Sequence, residues 1–214
     1  MENYTKRNII KKLQKEMDEV QLKKLGEASI QELLPEIQKI LDRLSKKRQR
    51  PIAEHVYWRV KSSESITNKM LRKKKEVSLK NSIKTLHDIL AIRIVCPFQD
   101  DVYAVCKAIT NDTQLGLDIK NVKDFIAHPK SSGYRSIHII TTVHHPVLGD
   151  IDLEIQLRSV AMNYWAILDH QLYYKNENKQ VQALKEELRG YAIEIANIDK
   201  KFYKIRKQIE QLEE

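Results

Sequence analysis

Ile151-Asp152-Leu153-Glu154-Ile155-Gln156-Leu157-Arg158 alternates aliphatic and polar side chains without a break. A period of two is the signature of a strand, whose successive side chains point to opposite faces of a sheet. Ile151, Leu153, Ile155 and Leu157 therefore share a core face. Asp152, Glu154, Gln156 and Arg158 share the other. On open solvent such a polar row would be unremarkable. The neighbouring segments read as helices that flank the sheet, so the row can instead line a cleft. A carboxylate in a cleft can hold a metal or accept a proton.

Working outward, Ser136 to Val143 reads as a partner strand, and the turn between the two holds Pro146 and Gly149-Asp150, a hairpin signal. Ile89 to Cys96 is an apolar run interrupted only by Arg93, which predicts a buried central strand. His55 to Lys61 and Leu115 to Val122 read as further strands. Ser65 to Lys75 reads as a helix, a short helix precedes Asp88, and Asp100-Asp101 opens a helix through Ala108, where negative charge suits the dipole. In the first third, Ile10, Leu13, Met17 and Val20, then Ile30, Leu33, Leu34, Ile37, Ile40, Leu41 and Leu44, recur at helical spacing. Ser29 and Glu32 have capping-box spacing, with Pro35 close behind. Ser45 to Arg50 reads as a basic connector ending at Pro51.

At the other end, Leu184, Leu188, Tyr191, Ile195, Ile198, Phe202, Ile205, Ile209 and Leu212 form a heptad stripe. A lone helix would leave that stripe wet, so it must cover the domain, the N-terminal helices or another subunit. The expected class is α+β. Residues 1–50 form an N-terminal helical segment, 51–175 a core of mixed sheet and helices, and 176–214 a C-terminal helix for packing or oligomerisation.

Of 214 residues, 42% are hydrophobic, enough for a core, and 31% are charged, which implies a heavily ionised surface. Five Gly and five Pro argue against long linkers. No run of about 18 apolar residues exists to span a membrane, and MENYTKRNIIKK lacks an apolar signal core. A cytoplasmic protein without membrane attachment is expected. Cys96 and Cys106 have no metal-ligand spacing and sit among apolar residues, as buried free thiols do. The net charge of +9 favours a polyanionic partner: nucleotide phosphates, RNA or an acidic membrane. Charge alone does not choose among them.

Asp88 stands before the apolar strand and Arg93 inside it. A buried guanidinium needs a carboxylate, a phosphate or an aromatic plane. Asp88 and Glu154 together would make a two-carboxylate Mg2+ site of the kind used with nucleotide phosphates. Arg59 and Lys61 share one face of their strand, and Ser65, Lys69 and Arg72 share one face of the next helix, which could wrap a polyphosphate. A solvated lysine-rich helix has the same pattern. In the segment from Lys130 to His138, Gly133 permits a tight turn, Tyr134 offers a flat ring to a base, and Lys130, Arg135 and His138 offer phosphate donors. Asn163 and His170 share a helix face. His144 and His145 are adjacent on a strand end and point to opposite faces, which does not make a metal pair.

Four segments carry a resemblance: RVKSSESITNKMLRK (Arg59 to Lys73), HDILAIRIV (His87 to Val95), SGYRSIH (Ser132 to His138) and LEIQLRSVAMNYWAILDH (Leu153 to His170). In this order, from Arg59 to Tyr174, the chain resembles the RelA/SpoT-type synthetase domain in its small alarmone synthetase form. The resemblance implies a nucleotidyltransferase-like mixed β-sheet flanked by helices. It implies a Mg2+-dependent (p)ppGpp synthetase that moves the pyrophosphate of ATP onto the ribose 3′-hydroxyl of GDP or GTP and releases AMP. Arg59 and Arg93 would sandwich the adenine, and Lys61, Ser65, Lys69 and Arg72 would hold the ATP phosphates. Asp88 would bind Mg2+, and Tyr134 would stack on guanine. Lys130, His138, Gln156 and Asn163 would position GDP or GTP. Glu154 would activate the 3′-hydroxyl and also touch Mg2+, and Arg135 is structural or phosphate-directed. Expected partners are ATP, GDP or GTP, further copies of the chain in a tetramer, and single-stranded RNA or the alarmone as regulator.

Some positions depart from the family pattern. Leu90-Ala91 replaces Ala-Gly, Ser159 replaces Thr and Asp169 replaces Glu. Leu90 either alters the wall beside the adenine or repacks. His87-Asp88 matches the dipeptide of the family's hydrolase domain but lies inside the synthetase motif, so no hydrolase activity is expected. Two other classes compete. A dedicated RNA-binding module would use the basic helices, but only Tyr134 has a clear stacking setting. A transferase of nucleotides would show Gly-Ser followed by paired acidic residues, a pattern not found here.

Overall fold

In the computed structural model, which describes residues 2–173 and 179–212, the alternating segment forms the body of the longest of five strands. These are β1 (His55–Val60), β2 (Leu90–Cys96), β3 (Asp118–Asp124), β4 (Ile137–His145) and β5 (Gly149–Ser159), in the order β1-β2-β5-β4-β3. β2 and β5 are parallel and the other pairs antiparallel. The described helices are α1 (Glu2–Glu19), α2 (Leu22–Arg48), α3 (Ser63–Arg72), α4 (Leu79–Thr85), α5 (Gln99–Asn111), α6 (Val160–Tyr173) and α7 (Lys179–Leu212). This is the expected mixed sheet with helical extensions at both ends. Tyr174 and the boundary at 175/176 lie outside the described residues.

Register sorts the side chains. Leu90, Ile92 and Ile94 of β2 stand beside Leu153, Ile155 and Leu157 of β5, and Ile137 and Ile139 of β4 continue the row. These residues join Leu13, Leu22, Ile30, Ile37, Val102 and Val105 of α1, α2 and α5 in one buried core. Each such aliphatic side chain contributes about 1.5–3 kcal/mol. The opposite face carries Arg59, Arg93, His138, Glu154, Gln156 and Arg158. Leu90 belongs to the first face. It packs on α2, where a Cβ on Gly26 would lie 2.7 Å from its Cδ2. Of the two readings of this position, Leu90 has therefore repacked into the core.

Several local readings are corrected. Ser29 does not cap a helix: it lies inside α2, and its hydroxyl donates to the Leu25 carbonyl at 3.1 Å. α2 begins after Gln21, whose φ of 51° marks a left-handed break. Pro35 lies inside α2 because it points outward, so the carbonyl it leaves unpaired one turn back can meet water. Ser45 to Arg48 is the last turn of that helix rather than a connector, and Lys46, Lys47 and Arg48 suit its dipole. β3 starts at Asp118, because Leu115 closes a 3-10 turn ended by Gly116 at φ 61°. Both cysteines are free thiols, with Cys96 buried and Cys106 half-buried.

The C-terminal stripe covers the body only in part. Leu188, Ala192 and Ala196 are buried, whereas Ile198, Phe202, Ile205 and Ile209 are about half exposed. Two buried polar residues fasten α7 instead. Asp199 accepts from Ser159 Oγ at 2.6 Å, and Arg206 donates to Asp100 at 2.7 Å. No helix among the described residues is long and apolar enough to cross a membrane.

Candidate active site

The polar face of β1, β2 and β5 floors a cleft. Pairing of Arg59 with Ala91 and of Tyr57 with Arg93 sets the two arginines diagonally on one face. The bond from Lys61 N to Ile89 O (2.7 Å) extends that pairing one step. The extension brings Lys61 Nζ to 2.5 Å from Asp88 Oδ2. Ser62 caps α3 by accepting from Ser65 N, and α3 then sets Lys69 Nζ 2.8 Å from Asp88 Oδ1. Burial pushes the Asp88 carboxyl up, but Lys61 and Lys69 outweigh it and hold it well below the carboxylate range. Burial pulls Lys61 down, and the charge and hydrogen bond of Asp88 partly offset it.

A cavity of about 500 Å³ opens here, lined by Arg59, Lys61, Ser65, Asn68, Lys69 and Arg72 from β1 and α3. Asp88, Arg93, Gln156, Arg158 and Tyr134 complete its floor, and Ile167, Asp169 and His170 of α6 close it. Six cations against two carboxylates in this lining call for an anionic ligand. A second cavity of about 360 Å³, lined by Tyr57, Trp58, Ala91 and Asn163, shares Arg59, Arg93, Gln156 and Ile167 with the first. Burial, then the charges of Arg158 and Arg59, bring Arg93 down to about 10.

Glu154 sits behind this lining in a closed ring of hydrogen bonds. Gln156 Nε2 donates to Glu154 Oε1 at 2.5 Å, and His138 Nδ1 lies 3.1 Å from Oε2. His138 Nε2 is 2.8 Å from the Tyr134 hydroxyl, which accepts from Arg158 Nη2 at 2.7 Å. Arg158 Nη2 also donates to Gln156 Oε1 at 3.2 Å and closes the ring. Burial raises the Glu154 pKa, but the hydrogen bond and charge of His138, with the Gln156 donor, bring it down to about 2. The carboxylate is thus ionised at any neutral pH.

All thirteen residues singled out from the sequence converge on this face or its rim. Ten of them line one or both cavities, while Lys130, His138 and Glu154 do not. Lys130 Nζ lies 4.7 Å over the Tyr134 ring. Arg135 proves structural in this arrangement, with Nη1 donating to the Ile126 carbonyl at 3.0 Å. His170 reaches the cavity rim. Asp152 shares the polar row but is drawn to the sheet's outer part by Lys120 (2.6 Å) and His87 (2.5 Å). Arg158 was given no role by sequence reasoning, although the same period of two that selects Glu154 and Gln156 selects it. Asn68 carried no signal, and Asp169 was marked only as a departure from the family pattern. His145 is buried, and its Nδ1 accepts from Val147 and Leu148 N–H groups, so it serves the turn.

The donor set fits a magnesium ion. Asp88 Oδ1 is buried and accepts no hydrogen bond, since Lys69 approaches it outside hydrogen-bond geometry. Among the described residues no group of three or more His, Cys, Asp or Glu gathers to hold a metal. Two protein carboxylates completed by substrate phosphates is a normal magnesium arrangement.

Residues 58–179 match the family described as "Region found in RelA / SpoT proteins". GTP pyrophosphokinase YwaC of Bacillus subtilis is 40% identical over 161 residues, 73% of this chain and 75% of that protein. GTP pyrophosphokinase YjbM of the same organism is 33% identical over 163 residues, 74% of each. The fold is similar to small alarmone synthetase 1 from Bacillus subtilis bound to its product pppGpp, with a TM-score of 0.75 and 28% identity over 86% of this chain and 94% of that one. With more than half its length matched to that family model, and two thirds or more shared with relatives at this identity, the chain belongs to the RelA/SpoT family.

Proposed function

We propose that this chain is a (p)ppGpp synthetase that transfers the pyrophosphate of ATP to the ribose 3′-hydroxyl of GDP or GTP and releases AMP. The observation that carries the reading is the six-cation cavity joined to a second cavity over β2, with an ionised Glu154 directly behind Gln156. The relatives named above are called GTP pyrophosphokinases, and small alarmone synthetase 1 from Bacillus subtilis has been solved bound to pppGpp and bound to AMPCPP.

In this reading Arg59 and Arg93 clasp the adenine in the second cavity. Lys61, Ser65, Lys69 and Arg72 take the polyphosphate along α3. Tyr134 stacks on guanine, while Lys130, His138, Gln156 and Asn163 orient the acceptor. Glu154 gives up one of its two hydrogen bonds and receives the 3′-hydroxyl proton as that oxygen bonds to the β-phosphorus. The bond from the β-phosphorus to the α-phosphate oxygen breaks, and AMP carries that oxygen away. Asp88 and Glu154 would hold Mg2+, which when bound offsets charge on the phosphates. Most of the acceleration comes from positioning and from fixed positive charge. The half-exposed stripe of Ile198, Phe202, Ile205 and Ile209 supports a homo-oligomer, read as a tetramer. Single-stranded RNA or the alarmone is the regulator consistent with the net charge of +9, and the cytoplasm is the expected location.

The test is a nucleotide balance. Incubation with Mg2+, ATP and GDP, followed by anion-exchange separation, should give AMP and guanosine tetraphosphate in equal amounts. ADP in place of AMP, or no tetraphosphate, would sink the proposal.

A further inference from the structure

Behind Tyr134 lies a second, separate apolar cluster that the main core does not reach. It consists of Trp165 of α6 with Leu188 and Ala192 of α7, and Tyr134 packs on its edge. Trp165 is buried, its Nε1 donates to the Leu188 carbonyl at 3.2 Å, and its ring centre is 6.5 Å from that of Tyr134. The loop itself rests on α7. Gly133 is buried with φ 90°, and a Cβ built there would lie 2.5 Å from Ala192 Cβ and 3.6 Å from the Arg189 carbonyl oxygen. Gly133 N donates to the Lys130 carbonyl at 2.8 Å and Lys130 N to the Tyr134 carbonyl at 3.2 Å, which ties Gly133 and Tyr134 into one turn.

Two small residues in contact leave no slack. The surface of α7 therefore bounds the loop from behind, while Arg158 and His138 of the sheet hold the Tyr134 hydroxyl at its other end. The polyphosphate-facing residues stand on different ground, since α3 is set in the main core through Ile66 and Met70.

We infer that Ala192 is a positioning residue for the acceptor nucleotide: through Gly133 it sets where Tyr134 stands, and it governs GDP or GTP binding without governing ATP binding. This rests on the proposed reading of Tyr134 as the guanine-stacking residue. Valine at 192 adds two methyl groups against a backbone already in contact, so the loop must shift. Loss of base–ring stacking costs roughly tenfold or more in affinity.

The experiment is calorimetric titration of the full chain with GDP and, separately, with a non-hydrolysable ATP analogue, for wild type, Ala192→Val and Trp165→Phe. Thermal unfolding of each variant checks its fold. Ala192→Val should raise the Kd for GDP about tenfold and leave that for the ATP analogue within about twofold. In turnover it should raise KM for GDP and leave kcat at saturation within about threefold. Trp165→Phe keeps a ring but loses the bond to Leu188, and should weaken GDP in the same selective way by a smaller factor. It decides the matter if the valine variant does not fold. Equal weakening of both nucleotides, or no change in either, would overturn the assignment. If the wild-type chain binds the ATP analogue but no GDP, the guanine reading beneath it falls instead.

Discussion

Replacing Glu154 by Gln separates chemistry from architecture, because the ring around it can relax. The carboxylate takes a 2.5 Å bond from Gln156 and faces His138 Nδ1 at 3.1 Å. A glutamine keeps the shape but turns one acceptor into an N–H donor, so one neighbour meets a donor. His138 can answer by moving its proton to Nε2, where the Tyr134 oxygen at 2.8 Å can accept it. Tyr134 already accepts from Arg158 and gives up only its own donated bond. The Tyr134–His138 bond thus reverses rather than breaks, and the cost is a Tyr134 O–H left without an acceptor, about 1–3 kcal/mol, below the roughly 5–15 kcal/mol of a folded domain. Loss of the proton acceptor should instead lower kcat by roughly 10²–10⁴-fold. Initial rates of AMP release at saturating ATP and GDP, read beside thermal unfolding curves, test both halves. A Glu154→Gln protein that keeps its Tm and turns over within about tenfold of wild type would refute the base assignment.

Gly26→Ala should lower stability by about 1 kcal/mol although alanine favours a helix, because the new Cβ would meet the fully buried Leu90 at 2.7 Å. In a Leu90→Ala background the same change should stabilise by a similar amount, and urea unfolding that shows no sign reversal would discard the contact argument. Lys61→Met should cost about 3 kcal/mol by leaving Asp88 under-compensated, and Lys69→Met less, since Lys69 is 27% exposed against 8% for Lys61; equal losses would contradict this. Glu154 has a folded pKa of about 2 against its ordinary 4.5, and Asp88 is shifted down as well. Their stabilisation is present above pH ~4.5 and lost as pH falls toward ~2. Tm measured from pH 5 to 3 should fall less steeply for Glu154→Gln than for wild type.

The sheet was legible because one of its faces is buried. A slip of one residue in β5 would put Glu154 and Gln156 into the core and Ile155 outside, so the alternation fixes the faces. Burial of the polar row was not legible, since it depends on α6, α7 and the Tyr134 loop, which are distant in sequence. The stripe on α7 is covered only in part within the chain. Its apolar period marks Ile198, Phe202, Ile205 and Ile209, which face outward, while the docked side carries Ala192, Ala196, Asp199 and Arg206. Close approach to Gly133 demands small residues, and anchoring to Ser159 and Asp100 uses polar ones, so hydropathy could not point to the contact. Pro35 is tolerated inside α2 for a reason local rules do not score, the side of the helix on which the lost N–H falls.

The site also holds charge that its own residues do not neutralise. Lys61 and Lys69 share one carboxylate, and Arg93 and Arg158 both turn to the neutral oxygen of Gln156. Burial, with Arg158 and Arg59 close by, brings the Arg93 guanidinium down to about 10, a sign of like charges held together where water is scarce. A folded protein tolerates such repulsion when packing elsewhere fixes the backbone, and here the aliphatic face of the same strands does so. In the proposed reading an anion beside Arg158 would compete with Gln156 for that guanidinium, and a Gln156 that turns away would also withdraw its bond to Glu154, because one amide is shared between the two.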